Sequence, residues 1–381
     1  MKPVKVCCFC ESWESGGIES FLSNVFCRMN PEKVQIDLVC AEIRSSIFTQ
    51  TMEEHGIRFC ELSGNQRNLP KNYKCFRKLL KEQQYDVFHL NAFQGLSLYY
   101  LRLAKEVGIP VRIAHSHNTA LRSSRTRALK QLIHELAKEH FTKDATDLWA
   151  CSSIAAEFLF SAPEIYKFQW IPNGIETERF RFNKVEREIV RQQLGLTNAF
   201  VIGNIGRLCE QKNQTFLLDV FNEAVKQNPQ ARLLLIGEGE QEAALKKKAK
   251  RLGIADKTIF YGVSKQPEKL LWAMDIFVFP SLFEGLGIAV IEAQVAGLST
   301  ICSNFVPAEA IATPLAWRVD LAEGADAWAE KILAFRCTEA CEYQMELLRQ
   351  GYEIRDVVQK IEKVYCGEEQ SSVLFKPVKG K

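Results

Sequence analysis

Short, nearly continuous apolar runs alternate with longer stretches whose apolar residues recur every three or four positions. "VKVCCFC" comes first, followed by an amphipathic stretch from about Gly17 to Met29, then "VQIDLVC", "YDVFHL" and "VRIAHSH". Strands buried on both faces read as unbroken apolar runs, and helices that cover them carry a period near 3.6. The rhythm therefore predicts a parallel sheet with helices on its faces. "VIGNI", "ARLLLIG", "KTIFYG", "DIFVFP" and "LSTICS" repeat it in the second half, which predicts a second doubly wound α/β domain. Between the halves, "QWIPNGIETERFRF" carries the turn signal Pro172-Asn173-Gly174 and reads as the linker. Near the end, "YEIRDVVQKIEKVY" reads as a strongly amphipathic helix followed by a polar, basic tail.

Length agrees with this division, since 381 residues exceed what one ordinary core holds. A hydrophobic fraction of 47% with 25% charged residues is that of a globular chain. Forty-nine basic against 46 acidic residues leave a net charge of only +3, which removes the electrostatic case for nucleic acid. The densest basic stretch, "ALRSSRTRALK", sets Arg122, Arg125, Arg127 and Lys130 close together, facing water or anionic lipid headgroups. The 13 cysteines are scattered without paired C-x-x-C spacing of the zinc type, and "VCCFC" reads as small hydrophobes in a strand. With no cleavable signal pattern and no apolar run of about 18 residues, the expected compartment is the cytosol.

Ligands of open parallel sheets bind beyond the carboxyl ends of the strands, so loops after strands hold the candidate chemistry. "VIGNIGRLCEQKNQTF" leads from a strand into Gly206, Arg207 and Lys212 just before a helix, a pattern suited to clamping a diphosphate. It is not G-x-G-x-x-G, and no P-loop occurs, which withdraws support from hydride transfer and NTP hydrolysis. "LLLIGEGE" places Gly237 and Gly239 where backbone can approach a flat ligand or simply turn. "FPSLFEGLGIAVIEAQVAG" holds Ser281, Glu284, Gly285 and Gly287 in a loop, and Glu292 inside an otherwise apolar helix. A carboxylate there needs a partner, either a basic core residue or the vicinal hydroxyls of a sugar or ribose. In the first half, Gly16 and Gly17 lie between a strand and a helix, and His115 and His117 share a face at a strand exit. The other histidines nearby, His134 and His140, carry no metal-ligand signature.

"GRLCEQKN" paired with "PSLFEGLGIAVIEAQVAG", after an "IPNGI" linker and an N-terminal Gly-Gly loop, resembles the retaining glycosyltransferases of family 4 over essentially the whole chain. "RIAHSHNT", "ACSSIAAEFLF" and "EGLGIAVIEAQ" further resemble its bacterial capsular and exopolysaccharide branch. The resemblance implies a GT-B fold of two Rossmann-like domains facing across a cleft. Residues 1–171 would hold the acceptor, with a helix at about 352–366 crossing back to them, and residues 172–351 would hold a nucleotide-sugar donor, most often UDP-linked. It implies that Arg207 and Lys212 contact the diphosphate, Glu292 the ribose hydroxyls and Glu284 the sugar. Ser281, Gly285, Leu286 and Gly287 would line the donor, with loop amides turned to its sugar and phosphate. Gly16 and Gly17 would reach the diphosphate on closure, and His115 or His117 would touch the sugar. Gly287 departs from the pattern, since many relatives carry proline there.

What is implied is transfer of a hexose-type sugar with retention, by front-face displacement and without a metal or other cofactor. The acceptor would be a glycan or lipid-linked oligosaccharide, with contact at the inner membrane face. Rival readings are another GT-B activity, such as a nucleotide-sugar epimerase or a phosphorylase, and an inactive sugar-nucleotide-binding scaffold. Joint presence of Arg207, Lys212, Glu284 and Glu292 speaks against decay.

Overall fold

Each continuous apolar run becomes a strand of one of two wholly parallel sheets. The first contains β1 (Val4–Trp13), β2 (Val34–Ile43), β3 (Arg58–Glu61), β4 (Val87–Ala92), β5 (Val111–Ser116), β6 (Asp147–Ala150) and β7 (Gln169–Trp170), in the order β3-β2-β1-β4-β5-β6-β7. The second contains β8 (Phe200–Ile205), β9 (Ala231–Ile236), β10 (Thr258–Gly262), β11 (Ile276–Phe279), β12 (Ser299–Ser303) and β13 (Ala316–Val319), in the order β10-β9-β8-β11-β12-β13. Parallel pairing needs a crossover between successive strands, and the amphipathic stretches supply it as helices. The computed structural model describes residues 2–64, 68–121, 127–334, 347 and 350–368. Arg122 and Arg125 lie outside these, whereas Arg127 and Lys130 are exposed on the helix Arg127–Phe141.

The chain divides into two compact units, one comprising Met1–Gly174 and resuming at Glu353, the other comprising Ile175–Tyr352. The last described helix, Ile354–Tyr365, belongs to the first unit, where Ile354, Val357, Ile361 and Tyr365 join Trp13, Phe21 and Trp149 in one buried cluster. Gly174 lets that helix in, because a Cβ there would fall 2.9 Å from the Cα of Ile354. The core of the second unit packs Leu217, Leu218 and Phe221 of the helix Gln214–Gln227, with Trp328, against β8, β9 and β11. No helix among the described residues is long and apolar enough to cross a membrane.

Candidate functional site

Where strand order reverses in an open parallel sheet, the crossover helices leave in opposite directions and a crevice opens at the carboxyl ends of the two central strands. In the second unit the reversal lies between β8 and β11. The loop after β8 carries Gly206, Arg207 and Lys212, and that after β11 carries Ser281 to Gly287, so the two strongest sequence candidates meet at one crevice. Side-chain amides lace the loops together. Gln211 Nε2 donates to Phe283 O at 2.9 Å, its backbone carbonyl accepts from Leu282 N–H at 2.8 Å, and Asn213 Nδ2 donates to Pro280 O at 3.2 Å. Gln214 Nε2 reaches the Arg207 carbonyl at 3.1 Å. Gln211, Asn213 and Gln214 are not among the sequence candidates, since a polar string such as "EQKNQ" is ordinary at a helix entry.

Lys212 Nζ donates to Glu284 Oε1 at 2.6 Å and lies 4.7 Å from the centre of the Phe279 ring. The two side chains are only 17% and 6% exposed, so water screens this pair little. Arg207 is 42% exposed and meets Glu240 at 3.4 Å, a surface pair of small energetic consequence. Ser281 is wholly buried and its Oγ has no hydrogen-bond partner among the described residues, while its carbonyl accepts from Ser303 Oγ.

Gly287 initiates the helix Ile288–Val295 with φ +85°, in the left-handed region. Proline, with φ locked near −65°, cannot adopt this backbone. Gly285 and Leu286 are buried beside it. Gly237 and Gly239 have a different explanation. A Cβ on Gly237 would stand 2.2 Å from the Gly206 carbonyl oxygen, and one on Gly239 2.3 Å from that of Leu208. The loops after β8 and β9 thus press backbone on backbone, which accounts for both glycines without a flat ligand.

Glu292 and Gln294 are the polar residues of the apolar helix, and they contrast. Gln294 Nε2 donates to Val290 O and Ala310 O, and its Oε1 accepts from Ala312 N, Thr313 N and Thr313 Oγ1. The Glu292 carboxyl has no hydrogen bond or ion pair among the described residues. Arg179, the cation whose field it feels, is committed to Glu268 through Nε at 3.0 Å and a second nitrogen at 2.8 Å. Glu292 keeps a margin of exposure, yet burial pushes its pKa up to about 7; Arg179 draws it down and Glu268 raises it further. A basic core partner for Glu292 is therefore absent among the described residues.

In the first unit the reversal lies between β1 and β4, with Gly16 and Gly17 beyond β1. Both are exposed ahead of the helix Gly17–Phe26, but its entry already holds a carboxylate. Glu19 Oε1 accepts from Glu14 N–H at 3.2 Å, and a Cβ on Gly16 would fall 2.6 Å from Glu19 Oε2. The Glu19 carboxylate thus stands beside Gly16 at the helix entry.

His115 and His117 are buried with ring centroids 3.9 Å apart, and a third histidine joins them. His89 stacks on His115, with its Nε2 3.1 Å from His115 Nδ1 and its Nδ1 2.5 Å from the Tyr365 hydroxyl. Burial pushes all three below the ordinary histidine value, His89 and His117 to about 3, so the rings are neutral at pH 7. Burial raises the Tyr365 phenol, which keeps its proton. The tautomers then follow. Tyr365 O–H donates to His89 Nδ1, His89 Nε2–H donates to His115 Nδ1, and His115 is left with Nε2–H. The reverse direction would strand the phenolic proton in the core. Asn91 turns its Nδ2 toward Phe9 O at 3.4 Å, so its Oδ1 accepts from His117 Nε2–H at 3.0 Å, and the Asn173 side chain lies close enough to the same ring to oppose the effect of burial on it. Among the described residues the buried His115 Nε2 has no hydrogen-bond partner. Tyr365→Phe is expected to cost about 1–2 kcal/mol by urea unfolding and to mix the His115 tautomers in ¹⁵N NMR spectra; a single unchanged tautomer would contradict the relay.

His134 is structural, with Nδ1 accepting from Gly95 N–H at 2.8 Å and Nε2 donating to Phe158 O at 2.8 Å. A cavity of about 380 Å³ in the first unit is lined by Glu11, Tyr73, Phe93, Tyr100, Asn118 and Lys130, among others. Among the described residues no group of three or more His, Cys, Asp or Glu side chains is placed to hold a metal.

Residues 15–179 match the family described as Glycosyltransferase Family 4, and residues 186–353 match the family described as Glycosyl transferases group 1. EpsF of Bacillus subtilis, which bears the name of a glycosyltransferase, is 28% identical over 364 residues, 92% of this chain and 93% of that protein. The Escherichia coli UDP-Gal:alpha-D-GlcNAc-diphosphoundecaprenol alpha-1,3-galactosyltransferase is 28% identical over 287 residues, 72% of each chain. Among solved structures, HepE of Anabaena in complex with UDP-glucose superposes with a TM-score of 0.79 over 95% of this chain and 99% of its own, at 19% identity. That likeness concerns the fold.

Proposed function

Because the chain belongs to glycosyltransferase family 4, with the GT-B fold, we propose that it transfers a hexose-type sugar from a UDP-sugar, with retention, to a lipid-linked or glycan acceptor in exopolysaccharide assembly. The reading rests above all on Glu292, a desolvated carboxyl without an ion pair in an apolar helix at the sheet reversal. The vicinal hydroxyls of ribose are two donors of the kind such a group lacks. Glu284 accepts from sugar hydroxyls while Lys212 holds it in place. The named substrates of the Escherichia coli relative, a UDP-sugar and a diphosphoundecaprenol-linked acceptor, fit the same reading.

When the bond between the anomeric carbon and the β-phosphate oxygen breaks, negative charge collects on the leaving phosphate. Lys212 and loop amides present positive charge there, supplying what a divalent cation supplies elsewhere, while Arg207 grips the diphosphate on binding. The acceptor hydroxyl attacks from the face the phosphate leaves, and its proton passes to that phosphate. His115 Nε2–H offers a donor to a sugar hydroxyl.

Arg207, exposed and weakly paired, is expected to act in binding alone. Arg207→Ala should weaken UDP-sugar affinity roughly tenfold with folding stability unchanged; unchanged affinity removes it from the site. The reading as a whole is tested with a panel of nucleotide sugars and a sugar-diphosphoundecaprenol acceptor, measuring UDP release and the anomeric configuration of the product by NMR. Retained configuration with a UDP-sugar supports it, whereas binding without turnover on any acceptor supports the scaffold.

A further inference from the structure

Three helices of the second unit gather two carboxyls around one cation. The short helix Thr177–Phe180 packs against both Ile288–Val295, which carries Glu292, and Pro267–Trp272, which carries Glu268. Arg179 stands on the short helix with its guanidinium clamped. Its Nε donates to Glu268 Oε2 at 3.0 Å, and one terminal nitrogen donates to the same oxygen and to the Lys265 carbonyl, both at 2.8 Å. Three bonds fix where the positive charge sits, so it acts on Glu292 through its field and not through contact. With 36% of the Arg179 side chain exposed, solvent screens that field only in part.

We propose that Arg179 is a positioning residue of this site, held off Glu292 by its clamp to Glu268 and Lys265 so that the carboxyl stays open to a ligand yet readily takes on negative charge. A direct ion pair would satisfy the carboxylate and leave vicinal hydroxyls little to offer. With no cation nearby, burial alone would hold the acid protonated. The other titratable side chains on the elements around that helix are turned elsewhere. Glu178 pairs with Arg181 and Lys269 with Glu186, while Cys302 of β12 donates to the Trp317 carbonyl. Glu309 belongs to the turn Ala308–Ala310, whose last carbonyl meets Gln294, about 200° around the helix from Glu292. β11 carries no titratable side chain. Arg179 and Glu268 are thus the charges that Glu292 feels, and the cation outweighs the anion. That the ligand is ribose rests on the proposed function; the electrostatic role of Arg179 does not.

The test is the titration of Glu292 in the ligand-free chain, followed by ¹³C NMR of protein labelled at glutamate, with the resonance assigned by its absence in Glu292→Gln. Glu268→Gln removes the competing anion and should move the midpoint down from about 7. Adding Arg179→Met to that variant removes the cation while stranding no buried carboxylate, and should move the midpoint back up by roughly one pH unit, to above the wild-type value. A clamp that serves structure alone predicts otherwise, because both variants break the same pair. Midpoints that stay at the wild-type value, or that move the same way in both variants, overturn the proposal. Calorimetry with UDP-glucose then reads the consequence for a ligand that needs the ionised form. Affinity should be roughly threefold weaker in the double variant than in Glu268→Gln at pH 7, with the gap closing by about pH 9, where both are ionised. An affinity that ignores these shifts would count against ribose at Glu292, whereas the titration, which involves no sugar, decides the role of Arg179 by itself.

Discussion

Glu292→Gln is expected to make the protein more stable at about pH 8 and a much poorer binder of UDP-sugar. Glu292 ionises at about 7 in the folded chain and at its ordinary 4.5 when unfolded. Below the lower value both states are protonated and the residue contributes no pH dependence. Between the two values the unfolded chain gives up its proton while the folded chain keeps it, so stability falls as pH rises. Above the folded pKa the penalty is complete. A shift of this size corresponds to roughly 3 kcal/mol, and glutamine, which also has to be buried, should recover about 2 kcal/mol of it. Urea unfolding should therefore show a gain at about pH 8 that vanishes near pH 4, a pattern that loss of a structural ion pair would reverse. In binding, the same change replaces charge-assisted hydrogen bonds to ribose with neutral ones, a loss of about 1.5–3 kcal/mol or roughly ten- to a hundredfold in Kd. Stability gained where function is lost identifies a residue retained for a ligand.

Lys212→Ala is expected to have the largest kinetic effect. Lys212 faces Glu284 at 2.6 Å in a poorly solvated corner formed by the loops after β8 and β11. Its charge is thus fixed before the reaction begins, which is what gives a stabilising cation its effect on a developing phosphate charge. Removal should lower kcat/KM by about 10²–10³. Stability should fall by about 1–3 kcal/mol, because Glu284 loses an ammonium partner while remaining buried. Kinetics measured well below the unfolding transition separate the two effects. A variant that loses stability but keeps kcat/KM would confine Lys212 to structure.

The strands were legible because parallel strands covered on both faces read as unbroken apolar runs, and "DIFVF" or "ARLLLI" admits no other phase. Arg207, Lys212, Glu284 and Glu292 were legible because they interrupt such runs at strand exits, where charge needs a reason. His89 and Tyr365 were not. Their closeness depends on β4 pairing with β5 and on the helix Ile354–Tyr365 packing into the first unit, and neither relation is local in sequence. Gln211 and Asn213 were missed because their partners are carbonyls of a loop some seventy positions onward. The helix Arg127–Phe141 shows a different limit. Its apolar stripe was present in the sequence, but periodicity reports that a helix has two faces and not which one the fold turns inward. His134 and Ala137 decide that. At Gly287 a residue difference was visible and its consequence was not, since only the backbone angle shows that proline is excluded.

The central claim is that Glu292 waits, partly protonated, for the hydroxyls of a UDP-sugar. Calorimetric titration of a UDP-sugar at pH 7, in two buffers of different ionisation enthalpy, counts the protons exchanged on binding. A carboxyl with a pKa of about 7 that becomes ionised under ribose hydroxyls should release about half a proton. Glu292→Gln should release none, and a UDP-sugar brings no phosphate ionisation of its own near this pH. Release of no proton by the wild-type chain, or the same release by both proteins, would contradict the account.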